Sequence, residues 1–426
     1  MRRILSSQIF SATFWQLLGK GVTATGTFVT VLLLGKFLGE AGFGDFSKIF
    51  ALVETFYIFA DFGLNATFIK KVKGGGQEGY LFGQLLTLRL INAVLLILLV
   101  LFVALLFPFN SLTGSGFSPA VKLATIPAPI IILDYSIFLT SQAAFQLHLN
   151  FFRQFLAQTI GSLAKIALVI TIVLIKPGLF AVIIAIVAAE TLMSGTSLAL
   201  CKFYLGKLSL RFNFDRAREL ITQSAPIGLS LIFNLFYFRG DILILSAFRS
   251  SAEVGNYSLA YKFFETSLVL PIFLVNALYP LMVESFSKGL GELKRSVAQY
   301  SGILFALSIA GFLGLFFIAP AFVGIIFGRD FILSAAILRI LSVGLPFFYL
   351  SALYMWLLVT LGAQKFLLPV YGVGAAINLL ANYFLIPAGG ALAAAIITVV
   401  SEGVILLTLY LIYRYYLKRL NDIKNL

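Results

Sequence analysis

Seven basic side chains fall inside long apolar runs of this sequence: Lys20, Lys48, Arg89, Lys165, Arg239, Lys262 and Arg339. Seven acids have similar surroundings: Glu54, Asp61, Asp134, Glu190, Asp241, Glu265 and Glu402. In hydrocarbon such a charge costs about 2.5–3.5 kcal/mol to insert, and it persists where it lines water, meets a counter-ion or performs a function. Ammonium and guanidinium groups donate charge-assisted hydrogen bonds to phosphate oxygens. A wet interior lined by Lys20, Arg89, Lys165, Arg239 and Lys262 would therefore hold an anion. Glu54, Asp61, Asp241 and Glu265 in the same interior would bind a coupling cation or bias one conformation over another. Ion pairing is the competing reading, for Arg239 with Asp241 and for Glu54 or Glu265 with Lys20 or Lys262. Lys48, near a helix end, is expected to reach the surface along its alkyl stem.

Helical spacing gathers these residues. Thr13, Gln16, Lys20, Thr23, Thr27 and Thr30 follow one another at three or four residues, which draws one polar stripe along a helix. Ser47, Glu54, Asp61 and Asn65 share a second face, Ser258, Lys262, Glu265 and Asn276 a third, and Gln158, Ser162 and Lys165 a fourth. Thr398 and Glu402 lie on one side of a fifth helix. Such groups can also act as hydrogen-bonding glue between helices.

The elements that must carry the stripes are membrane spans. The chain has 426 residues, 60% hydrophobic and 11% charged, against about half apolar and a quarter charged in a soluble domain. Runs of roughly 20 apolar residues, the length that crosses about 30 Å of hydrocarbon as a helix, recur throughout. The strict alternation of a β-barrel is absent. The fold class is therefore an all-α polytopic membrane protein of about twelve spans, near 8–36, 43–69, 81–107, 120–147, 156–175, 178–201, 222–248, 255–283, 296–327, 331–361, 366–387 and 389–413. The apolar stretch behind Met1-Arg2-Arg3 reads as an uncleaved first span, because Lys20 interrupts it and no small-residue cleavage site follows.

Lysine and arginine bias sets the orientation. With the N-terminus in the cytoplasm, inside segments hold 19 Lys and Arg and outside loops 5, namely Lys36, Lys122, Lys176, Arg249 and Arg329. Both termini are then cytoplasmic. The net charge of +14 reflects this bias rather than a nucleic-acid partner. The basic segment 206–221 reads as a cytoplasmic linker between lobes 1–205 and 222–426.

A repeat supports that division. Gly44, Ser47, Glu54, Thr55, Phe62, Asn65 and Ala66 recur 211 residues later as Gly255, Ser258, Glu265, Thr266, Phe273, Asn276 and Ala277. Two six-helix lobes in parallel repeat follow, and substrate sites of such transporters lie between their halves. Cys201 stands alone, so no intramolecular disulfide forms, and a single histidine, His148, leaves no zinc site. The longest outside loop, about 108–121, has no Asp or Glu, which argues against an enzyme that needs a surface acid or base. Gly74-Gly75-Gly76 is a turn rather than a phosphate loop.

Four stretches then resemble a known family: Leu38 to Ser47; Asp61-Phe62-Gly63-Leu64-Asn65; Arg239 to Leu245 with Val254 to Ser258, Lys262 and Glu265; and Asn378 through Asn382 to Pro387, Gly390 to Ala395 and Glu402. The chain resembles the oligosaccharide flippases of the polysaccharide-transporter type, O-antigen flippases among them, within the multidrug/oligosaccharidyl-lipid/polysaccharide exporter superfamily. It departs at Ile386-Pro387-Ala388-Gly389-Gly390, which lacks the usual second spaced glycine pattern. The resemblance implies two lobes, a central cavity and alternating access. It also implies flipping of a polyprenyl-diphosphate-linked glycan across a bacterial or archaeal cell membrane for surface polysaccharides such as lipopolysaccharide. No cofactor is expected; the expected partners are that glycan lipid, membrane lipids and a proton or sodium gradient, and a monomer is expected. The alternatives are a cation-coupled multidrug exporter of the same superfamily, a lipid-linked peptidoglycan precursor flippase and a membrane glycan polymerase.

Overall fold

The computed structural model describes residues 2–175, 178–205 and 209–424. Lys176, Lys207 and residues 206–208 of the expected linker lie outside the described residues. The helices are α1 (Arg2–Asp61), α2 (Leu64–Lys73), α3 (Glu78–Leu106), α4 (Pro119–Thr125), α5 (Ile130–Leu147), α6 (Phe151–Ile175) and α7 (Leu179–Leu205). They continue with α8 (Phe214–Phe248), α9 (Ser251–Ser267), α10 (Val269–Lys288), α11 (Leu290–Phe327), α12 (Ile332–Val343), α13 (Leu345–Thr360) and α14 (Leu367–Lys424). A small antiparallel hairpin, β1 (Phe109–Asn110) with β2 (Ser115–Gly116), occupies the loop after α3.

Among the described residues eight helical stretches are long and apolar enough to cross a membrane, and α12 with α13, bent by 41° between them, make a ninth when taken as one span. The 60 residues of α1 and the 58 of α14 exceed one crossing. Each is broken at a glycine of positive φ, Gly39 (67°) and Gly390 (60°), a backbone region that side chains with a Cβ rarely adopt. Counting both arms of each and adding α8, every expected span has a helical counterpart. This is an all-α polytopic membrane protein.

Four expected spans are interrupted, among them 331–361 at the bend between α12 and α13. The run 43–69 stops at Asp61, because Phe62 (φ 44°) and Gly63 (φ 70°) turn left-handed before α2 begins. Asn65 therefore belongs to α2 and not to the stripe of Ser47, Glu54 and Asp61. The run 120–147 divides between α4 and α5 around Pro127 and Pro129, which lack the amide a helix interior needs. The run 255–283 breaks at Leu268, three residues before Pro271.

The faces of α3 show the solvent logic. Ala93, Leu96, Val100 and Ala104 are buried, whereas Val94, Leu95, Leu98, Phe102 and Leu105 are exposed. An exposed apolar stripe of this length suits acyl chains and not water.

The chain separates into two compact units, Met1–Leu235 and Phe236–Leu426. In the first, α6 packs on α1 and α7, and α5 packs on α3 and α7. In the second, α11 packs on α10, α12 and α13, α14 on α12 and α13, and α9 on α12. The division falls inside α8, beyond the polar segment taken as the linker, because that segment is strapped to the first unit. The side chain of buried Gln84 accepts from the Asn213 N–H and donates to the Asn213 carbonyl, both at 2.9 Å. Thr87 Oγ1 accepts from the Arg211 N–H at 3.1 Å. Farther along α8, Glu219 meets Lys71 at 2.6 Å, and the Ser224 and Thr67 hydroxyls lie 2.6 Å apart. The bond from Lys71 holds the Glu219 carboxyl below its ordinary range.

Candidate polar sites in the two units

Arg89, on α3, is fully buried, and all five of its N–H groups are engaged. Nε donates to the Ala60 carbonyl at 3.3 Å, and Nη1 donates to Asn65 Oδ1 at 2.9 Å and Thr140 Oγ1 at 3.2 Å. Nη2 donates to the carbonyl and to Oδ1 of Asp61, both at 3.4 Å. One turn on, Asn92 Nδ2 donates to the Phe59 carbonyl at 2.7 Å. Together they satisfy carbonyls that α1 leaves without helical donors where it stops at Asp61. The cation also sits at the negative end of the helix dipole. Expected as an anion ligand, Arg89 here terminates a helix.

Lys165, on α6, has a different place. Its Nζ lies 2.5 Å from Glu190 Oε1 on α7, and both side chains are partly accessible, at 15% and 16%. Glu190 and Glu54 carry their charges within electrostatic reach of Tyr57, whose ring stacks on Tyr135 with centroids 4.5 Å apart. The Asp134 carboxylate accepts from the Thr191 and Ser194 hydroxyls, both at 2.9 Å. Lys20 is exposed on its stripe. Among the described residues it makes no ion pair with an acid. Gln16 and Thr23 on the same stripe are half-buried.

The second unit gathers Arg239, Asp241, Tyr257, Tyr261, Lys262 and Glu265. The Glu265 carboxylate is shared: Oε1 lies 3.3 Å from Arg239 Nη2 and Oε2 lies 3.2 Å from Lys262 Nζ. These three side chains are 20–30% exposed, so water reaches them. Asp241 is buried and accepts from the Tyr257 hydroxyl and, at 2.7 Å, from the Ile242 N–H. Arg239 thus meets Glu265 across two helices. Glu402 accepts from the Ser351 hydroxyl.

The other two intramembrane cations serve the backbone. Lys48 is buried, and its Nζ donates to the Gly116 carbonyl at 2.9 Å beneath the β-hairpin. It does not reach the surface as expected, because the hairpin covers it. Arg339 Nε donates to the Phe316 carbonyl at 3.0 Å. Pro320 lies inside α11, and the missing amide of a proline is the group that would have bonded the carbonyl four residues earlier. Arg339 supplies that donor from α12. The pairing was not legible in sequence, since Arg339 and Pro320 lie on different helices. Tyr57, Tyr135, Tyr257 and Tyr261 were also missed. The one local signal for the last pair was the four-residue spacing that puts them on one face of α9.

The sequence and the fold are similar to those of known proteins. The sequence profile of a family described as polysaccharide biosynthesis protein fits residues 9–286. A protein of Haloferax volcanii named as a probable low-salt glycan biosynthesis flippase, Agl15, is 26% identical over 322 residues. That match covers 74% of this chain and 64% of the relative, so the chain spans a little under two thirds of the relative's length. The fold is similar to the lipid II flippase MurJ in an inward closed conformation, with TM-score 0.73 and 16% identity over 94% of this chain and 87% of that one. It is similar to a multidrug resistance transporter of the MATE family in an inward-facing conformation, with TM-score 0.72 and 14% identity over 95% and 99%. A transporter of the MOP superfamily from Pyrococcus furiosus, titled for a binding pocket of reversed polarity, follows at TM-score 0.62 and 14% identity over 97% and 96%.

Proposed function

From the premise that the chain belongs to the polysaccharide biosynthesis protein family, we propose that it flips a polyprenyl-diphosphate-linked oligosaccharide between membrane leaflets by alternating access. The observation that carries the reading is the carboxylate of Glu265 held between Arg239 and Lys262, with all three partly open to water. A diphosphate presents several anionic oxygens and can replace that carboxylate between the same two cations. Lys165 on Glu190 offers a second exchangeable partner, and Lys20 is exposed on the polar stripe of α1. The name of the Haloferax volcanii relative supports the substrate class.

Glu265 then competes with the substrate, so it acts as a gate as well as a counter-ion. Asp241, Asp61 and Glu54 are the remaining candidates for a coupling proton or sodium ion. Asp134 and Asp241 accept from hydroxyls, an arrangement compatible with binding a cation. That feature also favours the second reading, a cation-coupled drug exporter. We place the transport lobes at 1–205 and 222–426, both termini in the cytoplasm and a monomer in the cell membrane. The positive-inside count supports the orientation.

The test is leaflet exchange of a fluorescent polyprenyl-diphosphate oligosaccharide in proteoliposomes. Arg239→Gln and Lys262→Gln are each expected to slow exchange by about tenfold to a hundredfold, since a charge-assisted hydrogen bond contributes about 1.5–3 kcal/mol. Wild-type protein that gives no exchange but drives efflux of a lipophilic cation down a proton or sodium gradient would replace this reading with the second.

A further inference from the structure

Arg339 occupies an unusual place on α12. Ile332, Ala336, Arg339 and Val343 form the exposed face of that helix, while Ala335, Leu338 and Ser342 are buried. On neighbouring α11, Leu313, Phe317 and Ile318 are exposed as well. The exposed surface around Arg339 is therefore apolar, the surface that a membrane protein turns to acyl chains. Arg339 lies seven residues from the start of α12, roughly 10 Å along the axis.

The guanidinium is oriented and incompletely used. Nε is bound to the Phe316 carbonyl at 3.0 Å, and the group lies over the Phe316 ring, 5.3 Å from its centroid. Among the described residues neither Nη1 nor Nη2 has a partner. A charge on a lipid-facing surface needs water or an anion, and bilayers thin locally to supply one. The planar fork of arginine matches two phosphate oxygens. We infer that Arg339 holds the headgroup phosphate of an anionic membrane phospholipid against the α11–α12 face, while its Nε caps the carbonyl that Pro320 leaves open. This site is separate from the Arg239, Lys262 and Glu265 cluster and does not depend on the transported substrate.

The two duties of Arg339 can be separated. Pro320→Ala restores an amide donor for the Phe316 carbonyl, so in that background Arg339→Gln removes the lipid ligand without leaving an open carbonyl. Native mass spectrometry of the full chain would count bound phosphatidylglycerol and phosphatidylcholine. Pro320→Ala is expected to keep a preference for phosphatidylglycerol, and the double variant is expected to lose it by several-fold. Equal retention by the two proteins would overturn the inference. So would displacement of phosphatidylglycerol from this face by polyprenyl diphosphate at equal concentration, which would assign the phosphate to a different lipid. If Pro320→Ala is not recovered folded, Arg339→Gln in the wild-type background serves. A monodisperse sample with unchanged phosphatidylglycerol preference refutes the site.

Discussion

At the scale of single residues, the intramembrane cations divide by what their donors meet. Arg89, Lys48 and Arg339 donate to main-chain carbonyls, and the fully buried Arg89 also meets the Asp61 carboxylate, whereas Lys165, Arg239 and Lys262, themselves partly accessible, pair with glutamates. The two groups should respond differently to neutralisation. Arg89→Gln leaves the Ala60 and Asp61 carbonyls without their side-chain donor, and each unsatisfied buried acceptor costs about 1–3 kcal/mol. The expected outcome is a large loss of unfolding free energy in detergent, and Arg89→Lys should rescue little of it, because one ammonium cannot meet the same acceptors. Lys165→Gln should cost less, about 1 kcal/mol, because its pair is partly wet, yet it should impair transport. Denaturant titration beside the exchange assay separates these cases. Comparable destabilisation by both substitutions would refute the division.

At the scale of elements, breaks in the helices are held by charges placed to match the ends they face. At Gly390 the first arm of α14 stops and the second begins. Glu253 Oε1 accepts from the Ala391 N–H at 2.7 Å, and Arg249 Nη1 donates to the Pro387 carbonyl at 3.3 Å, while Arg249 and Glu253 pair at 2.8 Å. The anion thus faces a helix start and the cation a helix end, as the dipole favours. A Cβ at Gly390 would lie 1.9 Å from Glu253 Oε1 on a backbone of φ 60°. Gly390→Ala is expected to destabilise by at least about 1–2 kcal/mol, and Glu253→Ala by about 0.5–2 kcal/mol through loss of the cap. Thermal unfolding of the purified variants checks both; a wild-type midpoint in Gly390→Ala would contradict the strained geometry. Arg339 and Pro320 form a second such device. In a double-mutant cycle, Pro320→Ala should remove most of the cost of Arg339→Gln. Additive effects would mean that the carbonyl is not the link.

At the scale of the whole molecule, the orientation assigned from charge bias can be measured, because Cys201 is buried and leaves a quiet background. Leu112, at the tip of the hairpin, is 95% exposed, and Lys70 is exposed at the end of α2. In intact cells a membrane-impermeant maleimide should label Leu112→Cys and not Lys70→Cys, with the reverse pattern in inside-out vesicles. Labelling of Lys70→Cys in intact cells would invert the topology.

Much of this protein was legible without coordinates. The membrane class and the run of spans follow from composition and span length, and the resemblance carried by Asp61 to Asn65 and Arg239 to Glu265 pointed to a family of oligosaccharide flippases. Each depends on neighbours along the chain and on a solvent that admits few backbone solutions. The breaks at Gly63 and Gly390 were within reach of the same reasoning, because glycine and proline act locally. Which cation does what was not. Arg89 reads in the sequence like Lys165, and Arg339 like Arg239, yet Arg89 closes a helix end and Arg339 answers a proline, while Lys165 and Arg239 each pair with a glutamate of a neighbouring helix. That choice depends on which helix end, proline or acid lies opposite in space, a fact that packing decides and linear spacing does not encode.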